Sequence, residues 1–297
     1  MKQLRSDVAR RDHYEELTNT IIAKLEEGVL PWRRPWDPKK CAAATSPMNP
    51  VTGRTYRGVN ALALAMSPRA FGGDPRWMSY RQAAARGWQV RKGEKGAIVF
   101  FYKKLEIRGD DEDKRTIPLL RAYVVFHASQ LDGIPELGEP EAPKPVVERI
   151  ADADLIVKAS GVRVEIGGKR AYYAPSTDHI QMPPDEAFAG AHDRAATILH
   201  EIAHASSREE IRAELASFFV GNALGLPCDV PNHASYIQSW VKVLKDDKRE
   251  IFRAAADANR IAEWILSHHP AHGLGDDQPD QVDDEQPSQP PTEALAA

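Results

Sequence analysis

Two histidines four residues apart, with a glutamate beside the first, make HEIAH at residues 200 to 204, inside the run DRAATILHEIAHASS. Residues four apart lie on one face of a helix, so His200 and His204 can aim ring nitrogens at a single metal ion. Glu201 is then placed to act as general base toward a metal-activated water. A zinc ion that keeps one position open for water takes three protein ligands. The next segment, REEIRAELASFF, offers Glu209, Glu210 and Glu214, and the step from Glu210 to Glu214 puts two carboxylates on one helical face. If this helix runs back antiparallel after a tight turn, it returns those carboxylates to the histidines. Glu210 is expected as third ligand and Glu214 as the partner that orients a ligating imidazole. The reverse assignment stays open, because the six-residue step from His204 does not fix the helix phase. Zinc is the expected ion, with manganese or another divalent metal left open, since two imidazoles and a carboxylate accept several.

Other residues with chemistry in them carry less. His233 and Tyr236, in NHASYIQSW, are candidates for a hydrogen-bond donor to a transition state, with packing at a helix start as the plainer alternative. His268, His269 and His272 lack a partner at ligand spacing and read as a solvated helix end. Cys41 and Cys228, the only two cysteines, form no CxxC pair, which argues against a disulfide framework or a cysteine-based zinc site.

The net charge of -4 conceals an asymmetry. Residues 1–130 hold 24 Lys and Arg against 14 Asp and Glu, whereas the remaining residues hold 15 against 29. A basic half is the electrostatic footprint of a polyanion binder. Here the basic residues alternate with rings, in LPWRRPW (30–36), NPVTGRTYRGVNAL (49–62) and RWMSYRQAAARGWQVRKGEKGAIVFFY (76–102). Flat rings can stack on unstacked bases while Arg and Lys track phosphates, the working principle of sequence-tolerant single-strand binders. For any one tryptophan, core packing is the stronger competitor.

The elements that must position these groups follow from periodicity. Helices are expected over 14–25, 61–66, 80–86, 146–159, 193–205, 208–224, 233–244 and 249–268. Strands are expected at 97–102 and 121–126 around a long charged hairpin tip, at 162–166, and as a hairpin of 170–173 with 179–182. A proline-rich stretch at 131–145 reads as a linker and the acidic, ring-free segment 273–297 as a disordered tail. The expected fold class is α+β: an N-terminal α+β domain over 1–130, and a mainly helical domain with a small antiparallel sheet over 146–272, each with its own core. No apolar run approaches a membrane span and the first residues are too charged for a signal peptide, so a cytoplasmic address is expected.

HEIAH followed by ExxxE resembles the zincin metallopeptidases of the glutamate-ligand type. YYAPSTDHIQMPP before that helix, and NHASYIQSWVKVLKDDKREIFRAAADANRIAEWIL after it, resemble the metallopeptidase-like domain of ArdC-type antirestriction proteins and related plasmid primases. PWxxPW, PxNxxTGRxYRGVN and RWxxxxQAxxxGWxVRKGEKG resemble the family's N-terminal single-stranded-DNA-binding domain. The resemblance covers about 10–126 and 146–265, and departs from the family in the short connection ASSRE. It implies an antirestriction factor that binds single-stranded DNA and shields incoming conjugative plasmid DNA. A protease that uses DNA as a tether to cleave a restriction-system protein, and a single-strand binder with a structural metal, are the alternatives. It also implies that 179–182 is the edge strand along which a peptide lies. DNA contacts are nominated at motif positions by charge, ring or amide: Arg54, Tyr56, Arg57, Asn60, Arg76, Trp77, Gln82, Lys92 and Lys95.

Overall fold

The computed structural model describes residues 12–31, 46–108, 114–138, 145–206, 209–226 and 234–270. Trp32, Trp36, His233, His272, both cysteines, residues 139–144 of the expected linker and the expected tail lie outside the described residues.

Helix α1 (His13–Glu26) starts where the Asp12 carboxylate accepts the N–H groups of Tyr14 and Glu15. Such a cap supplies partners for backbone donors that a first helical turn leaves open. Glu15 and Glu16 in its first turn and Lys24 in its last complement the helix dipole. Its inner face is Ile21, Ile22 and Leu25. Helix α2 (Gly58–Ala65) follows, then a 3-10 turn (Pro68–Gly72), strand β1 (Trp77–Ser79), helix α3 (Tyr80–Ala85) and strand β2 (Gln89–Val90). A capping box of Ser79 and Gln82 starts α3.

Strands β3 (Ala97–Arg108) and β4 (Lys114–His127) form an antiparallel ribbon, and β1 pairs on the far side of β4. A short strand β5 (Leu131–Asp132) returns to β2. The expected hairpin tip proves to be mostly strand, because the ladder runs unbroken from Ala97↔Val125 to Arg108↔Lys114. Charged residues do not stop a two-stranded ribbon, whose backbone groups pair regardless of side-chain polarity.

The second domain comprises α4 (Val146–Ser160), strands β6 (Arg163–Ile166), β7 (Tyr172–Ala174) and β8 (His179–Met182), and helices α5 (Ala191–Ser206), α6 (Glu210–Leu224), α7 (Ala234–Asp246) and α8 (Glu250–Ser267). Its sheet is ordered β6-β8-β7, with β6 parallel and β7 antiparallel to β8. The 172–182 hairpin is therefore joined by a parallel strand, making the sheet mixed. The histidines after α8 are also not a solvated end: His269 is buried, with Nε2 3.0 Å from Asp152 Oδ1 of α4, and His268 Nδ1 lies 2.8 Å from the Trp264 carbonyl.

The two domains share the main apolar cluster, while two smaller clusters, one around Tyr56, Leu64, Trp77, Val99 and Val125 and one around Met78, Ala83, Val90 and Leu131, belong to the N-terminal domain alone. Ile21, Ile22, Leu25, Leu62 and Phe100 belong to the same apolar cluster as Trp240, Leu244, Ile251, Phe252 and Ile261. Phe252 sits 4.5 Å from the Tyr14 ring and 5.0 Å from that of Phe100, centroid to centroid. Thr18 Oγ1 donates to the Lys248 carbonyl at 2.7 Å, and Arg57 Nη1 lies 2.9 Å from Glu263 Oε1. Gly58 takes φ +53° where α2 meets α8, and its N–H donates to Asn259 Oδ1 at 3.2 Å. The expectation of separate cores thus holds only in part: the apolar face of α1 is buried by α7 and α8, and the proline-rich stretch is no simple linker, since its first residues form β5 and pair with β2. Among the described residues, no helix is long and apolar enough to cross a membrane.

Candidate metal centre and nucleic-acid interface

Helix α5 buries Ile198, Leu199, Ile202 and Ala203 along one stripe, which fixes its rotation and leaves His200 and His204 on a shared face. Three residues separate α5 from α6, so α6 packs back along α5 and brings Glu210, its first residue, to the histidines. His200 Nε2 and His204 Nε2 stand 3.1 Å apart, with Glu210 Oε1 3.4 Å from the first and Oε2 3.2 Å from the second. A tetrahedral ion with bonds of about 2.0–2.1 Å holds its ligand atoms about 3.3–3.4 Å apart, so the three side chains have the spacing of such an ion's coordination shell. Two ring nitrogens and a carboxylate converging in this way form a donor set that a cation completes. The Glu210 carboxyl is raised by burial, but hydrogen bonds and charge from His200 and His204 outweigh this and hold it at about 2. A carboxylate so low remains an ionised, ligand-ready group across the neutral range.

Glu214, one turn along α6, is buried, with Oε2 3.9 Å from His200 Nδ1, the nitrogen turned away from His204. Glu201 is also buried, and burial pushes its carboxyl up against the opposing pull of His200 and His204. It accepts a backbone hydrogen bond from Tyr173 of β7. Tyr236, in the first turns of α7, is exposed, and its phenol is raised first by the charge of Glu210, then by burial and by Glu201. The tyrosine therefore lies within electrostatic reach of both glutamates. The strand placement needs correcting: β8 is the centre of its sheet, paired on both sides, and cannot take another strand. The open edge beside Glu201 is β7, where Tyr172 is half-exposed.

The nominated DNA contacts divide by environment. Trp77 is 1% exposed, and Tyr56 is buried with its hydroxyl donating to the Trp77 carbonyl at 3.2 Å. Neither ring has a face open to a base. Asn60 is buried and exchanges two hydrogen bonds with the Phe100 backbone, at 2.7 and 2.8 Å. Arg76 is held by Asp74 and by the Pro135 carbonyl, and Arg57 by Glu263. Gln82 Oε1 is taken by the α3 cap. Arg54, Lys92 and Lys95 are exposed, and among the described residues none pairs with their side chains. Replacing Trp77 by Ala is accordingly expected to destabilise the fold by about 3–5 kcal/mol, as truncation of a buried ring does. Denaturant melts check this, and unchanged stability with weakened DNA binding would return Trp77 to the surface.

Two rings not nominated from sequence are better placed. Strand pairing puts Ala97, Val99 and Phe101 on one face with Val125, Tyr123 and Arg121. Tyr56 and Trp77 cover one end of this face, while Phe101 and Tyr123 at the other end are only partly buried, 5.5 Å apart edge to face. The signal was the period-two alternation within the apolar strands, which becomes informative only once the register is known.

Residues 11–126 match the family model for the N-terminal domain of the anti-restriction factor ArdC. The zincin-like metallopeptidase model matches 151–209 and 205–257, two stretches that overlap at the short connection between α5 and α6. Class and fold are thus those of an α+β protein with an ArdC-type N-terminal domain and a zincin-like domain. The crystal structure of the antirestriction protein ArdC from plasmid R388, in its metal-free form, superposes with a TM-score of 0.73 at 34% identity, over 87% of this chain and 98% of that one. Its Mn(II)-bound form gives 0.70 at 35% identity with the same coverage. The protein y4eC of Sinorhizobium fredii is 37% identical over 86% of this chain and 91% of its own length. The DNA primase TraC of Escherichia coli is 36% identical over 87% of this chain, and this chain spans 27% of that primase and 20% of a second TraC. The chain belongs to the ArdC antirestriction protein family.

Proposed function

We propose that this protein binds single-stranded DNA through its N-terminal domain and protects incoming plasmid DNA from restriction during conjugation, with a divalent metal held in a peptidase-like domain. The observation that carries the reading is the likeness, over 98% of its length, to an antirestriction protein whose crystal structure also exists with Mn(II) bound. The exposed cations Arg54, Lys92 and Lys95, which have no partner among the described residues, support the choice of a polyanion. Domain limits near 130 and 146 are part of this proposal, as is a cytoplasmic site of action. His200, His204 and Glu210 would hold the metal, either zinc or manganese, and Glu214 would orient His200. When bound, the ion would supply Lewis-acid activation of water or of a carbonyl. Glu201 would take a proton in that chemistry, and Tyr236 would donate a hydrogen bond to developing negative charge.

A second reading, an active protease acting on a restriction-system protein, is favoured by one observation: Glu201 stands against the open strand edge β7, where an extended peptide could pair. Protection in cells separates the readings. Replacing Arg54, Lys92 and Lys95 by Gln is expected to abolish protection with metal content unchanged. It should also flatten the dependence of log affinity on log salt by about 0.7 for each phosphate no longer neutralised. Glu201→Ala is expected to keep both DNA binding and protection. Loss of protection in that variant, with a restriction subunit cleaved only by the wild type, would establish the protease instead.

A further inference from the structure

The open end of the β3–β4 face is the wall of a cleft, lined by Phe101 and Tyr123 on the sheet, Ser79 and Gln82 at the start of α3, and Asn49 and Arg54 on the loop before α2. Tyr56 and Val125 close its floor. The polar side of this cleft is fixed in orientation. Gln82 Oε1 accepts both the Ser79 N–H and Asn49 Nδ2, each at 3.0 Å, so Nε2 is turned the other way, and no described residue takes its hydrogens. Asn49 Oδ1 accepts the N–H groups of Val51 and Thr52, which pins that amide as well. Ser79 Oγ accepts from the Gln82 N–H and keeps its own hydrogen to give. Three of the polar side chains lining the cleft therefore keep hydrogens to give: Gln82 Nε2, the second hydrogen of Asn49 Nδ2 and the Ser79 hydroxyl.

We infer that this cleft is a subsite for one unstacked DNA base, recognised by a carbonyl-bearing edge. The inference rests on the single-strand reading above and deepens it. Phe101 and Tyr123 supply the apolar contact that a base ring seeks, and Arg54 at the rim holds an adjacent phosphate. Thymine, cytosine and guanine offer carbonyl oxygens to the three donors. Adenine has no carbonyl and offers these donors only a single ring nitrogen on either edge, beside an amino group that would set donor against donor.

Anisotropy titrations of the full chain with oligo(dT), oligo(dA) and an abasic strand of equal length test this. The wild type is expected to bind oligo(dT) at least about 5-fold tighter than the abasic strand, in line with the contribution of one stacked base, and at least about 5-fold tighter than oligo(dA), in line with the discrimination of a well-paired base edge. Gln82→Glu keeps both hydrogen bonds accepted at the α3 cap but replaces the Nε2 donor by an acceptor. It should erase the preference for dT over dA while leaving the melting temperature unchanged. Phe101→Leu keeps apolar bulk on the sheet and should weaken oligo(dT) about 5- to 100-fold, with little effect on the abasic strand. Equal affinity of the wild type for oligo(dT) and the abasic strand would overturn the subsite, as would a preference that survives in Gln82→Glu. If Gln82→Glu fails to fold, the Phe101→Leu comparison decides alone. If the wild type binds none of the three strands, the single-strand reading itself falls.

Discussion

His200→Ala is expected to leave the protein without stoichiometric metal, while its melting temperature in the metal-free state changes by only a few degrees. Three ligand atoms stand at the spacing of one ion, and removing an imidazole leaves two, too few to compete with water for a divalent cation. The loss should exceed the 10–100-fold that outer partners typically contribute. Glu214→Ala, which removes the carboxylate behind His200, should fall within that smaller range. Metal content measured after dialysis against a weak chelator separates the two variants. Full occupancy in His200→Ala would move the site elsewhere, and total loss in Glu214→Ala with retention in Glu210→Ala would exchange the two carboxylates. The fold is expected to survive because α5 and α6 are anchored by apolar residues, Ile198, Leu199, Ile202, Leu215 and Phe218, that do not involve the metal.

A fragment ending at Gln130 is expected not to fold cooperatively. It would lose the helices that cover Ile21, Ile22, Leu25, Leu62 and Phe100. At roughly 1.5–3 kcal/mol for each buried side chain, exposing five removes on the order of 10 kcal/mol. That is comparable to the whole stability of an ordinary domain. A longer fragment ending at Pro270 keeps the described elements and should unfold in one sharp transition. A sigmoidal denaturant curve for the short fragment, with native-like near-UV signal, would show that the shared core is dispensable.

How much was legible depended on whether a feature was local. HEIAH sits inside one helix, so a period of 3.6 residues was enough to aim both histidines. The return of the next helix was legible too, because a three-residue connection leaves it little choice, but the choice between Glu210 and Glu214 was not, since the step from His204 leaves the phase of that helix open. The nominated rings failed for the opposite reason. Trp77 and Tyr56 look like stacking platforms in a basic stretch, but Trp77 pairs opposite His127, fifty residues on, and that sheet turns it inward. Phe101 and Tyr123 were visible only as members of apolar strands, since the face they occupy is set by a register that local sequence does not carry. The edge strand was misjudged in the same way. That expectation came from the resemblance, and β8 gains its second neighbour from β6, which precedes it by thirteen residues, a pairing that the resemblance carried onto 179–182 did not include. The common core was hidden because an amphipathic helix shows that it has an inner face and not which element will cover it.

That common core also bears on how such a chain is inherited. Two family models match it, yet α1 has no cover without α7 and α8, so neither part could be transplanted alone without exposing an oily surface. The similarity to TraC covers 87% of this chain but only 27% of the primase. The part of TraC that resembles this chain takes in both matched stretches together, as halves that bury each other require, and a break between residues 131 and 145 is expected to leave the inner face of α1 bare.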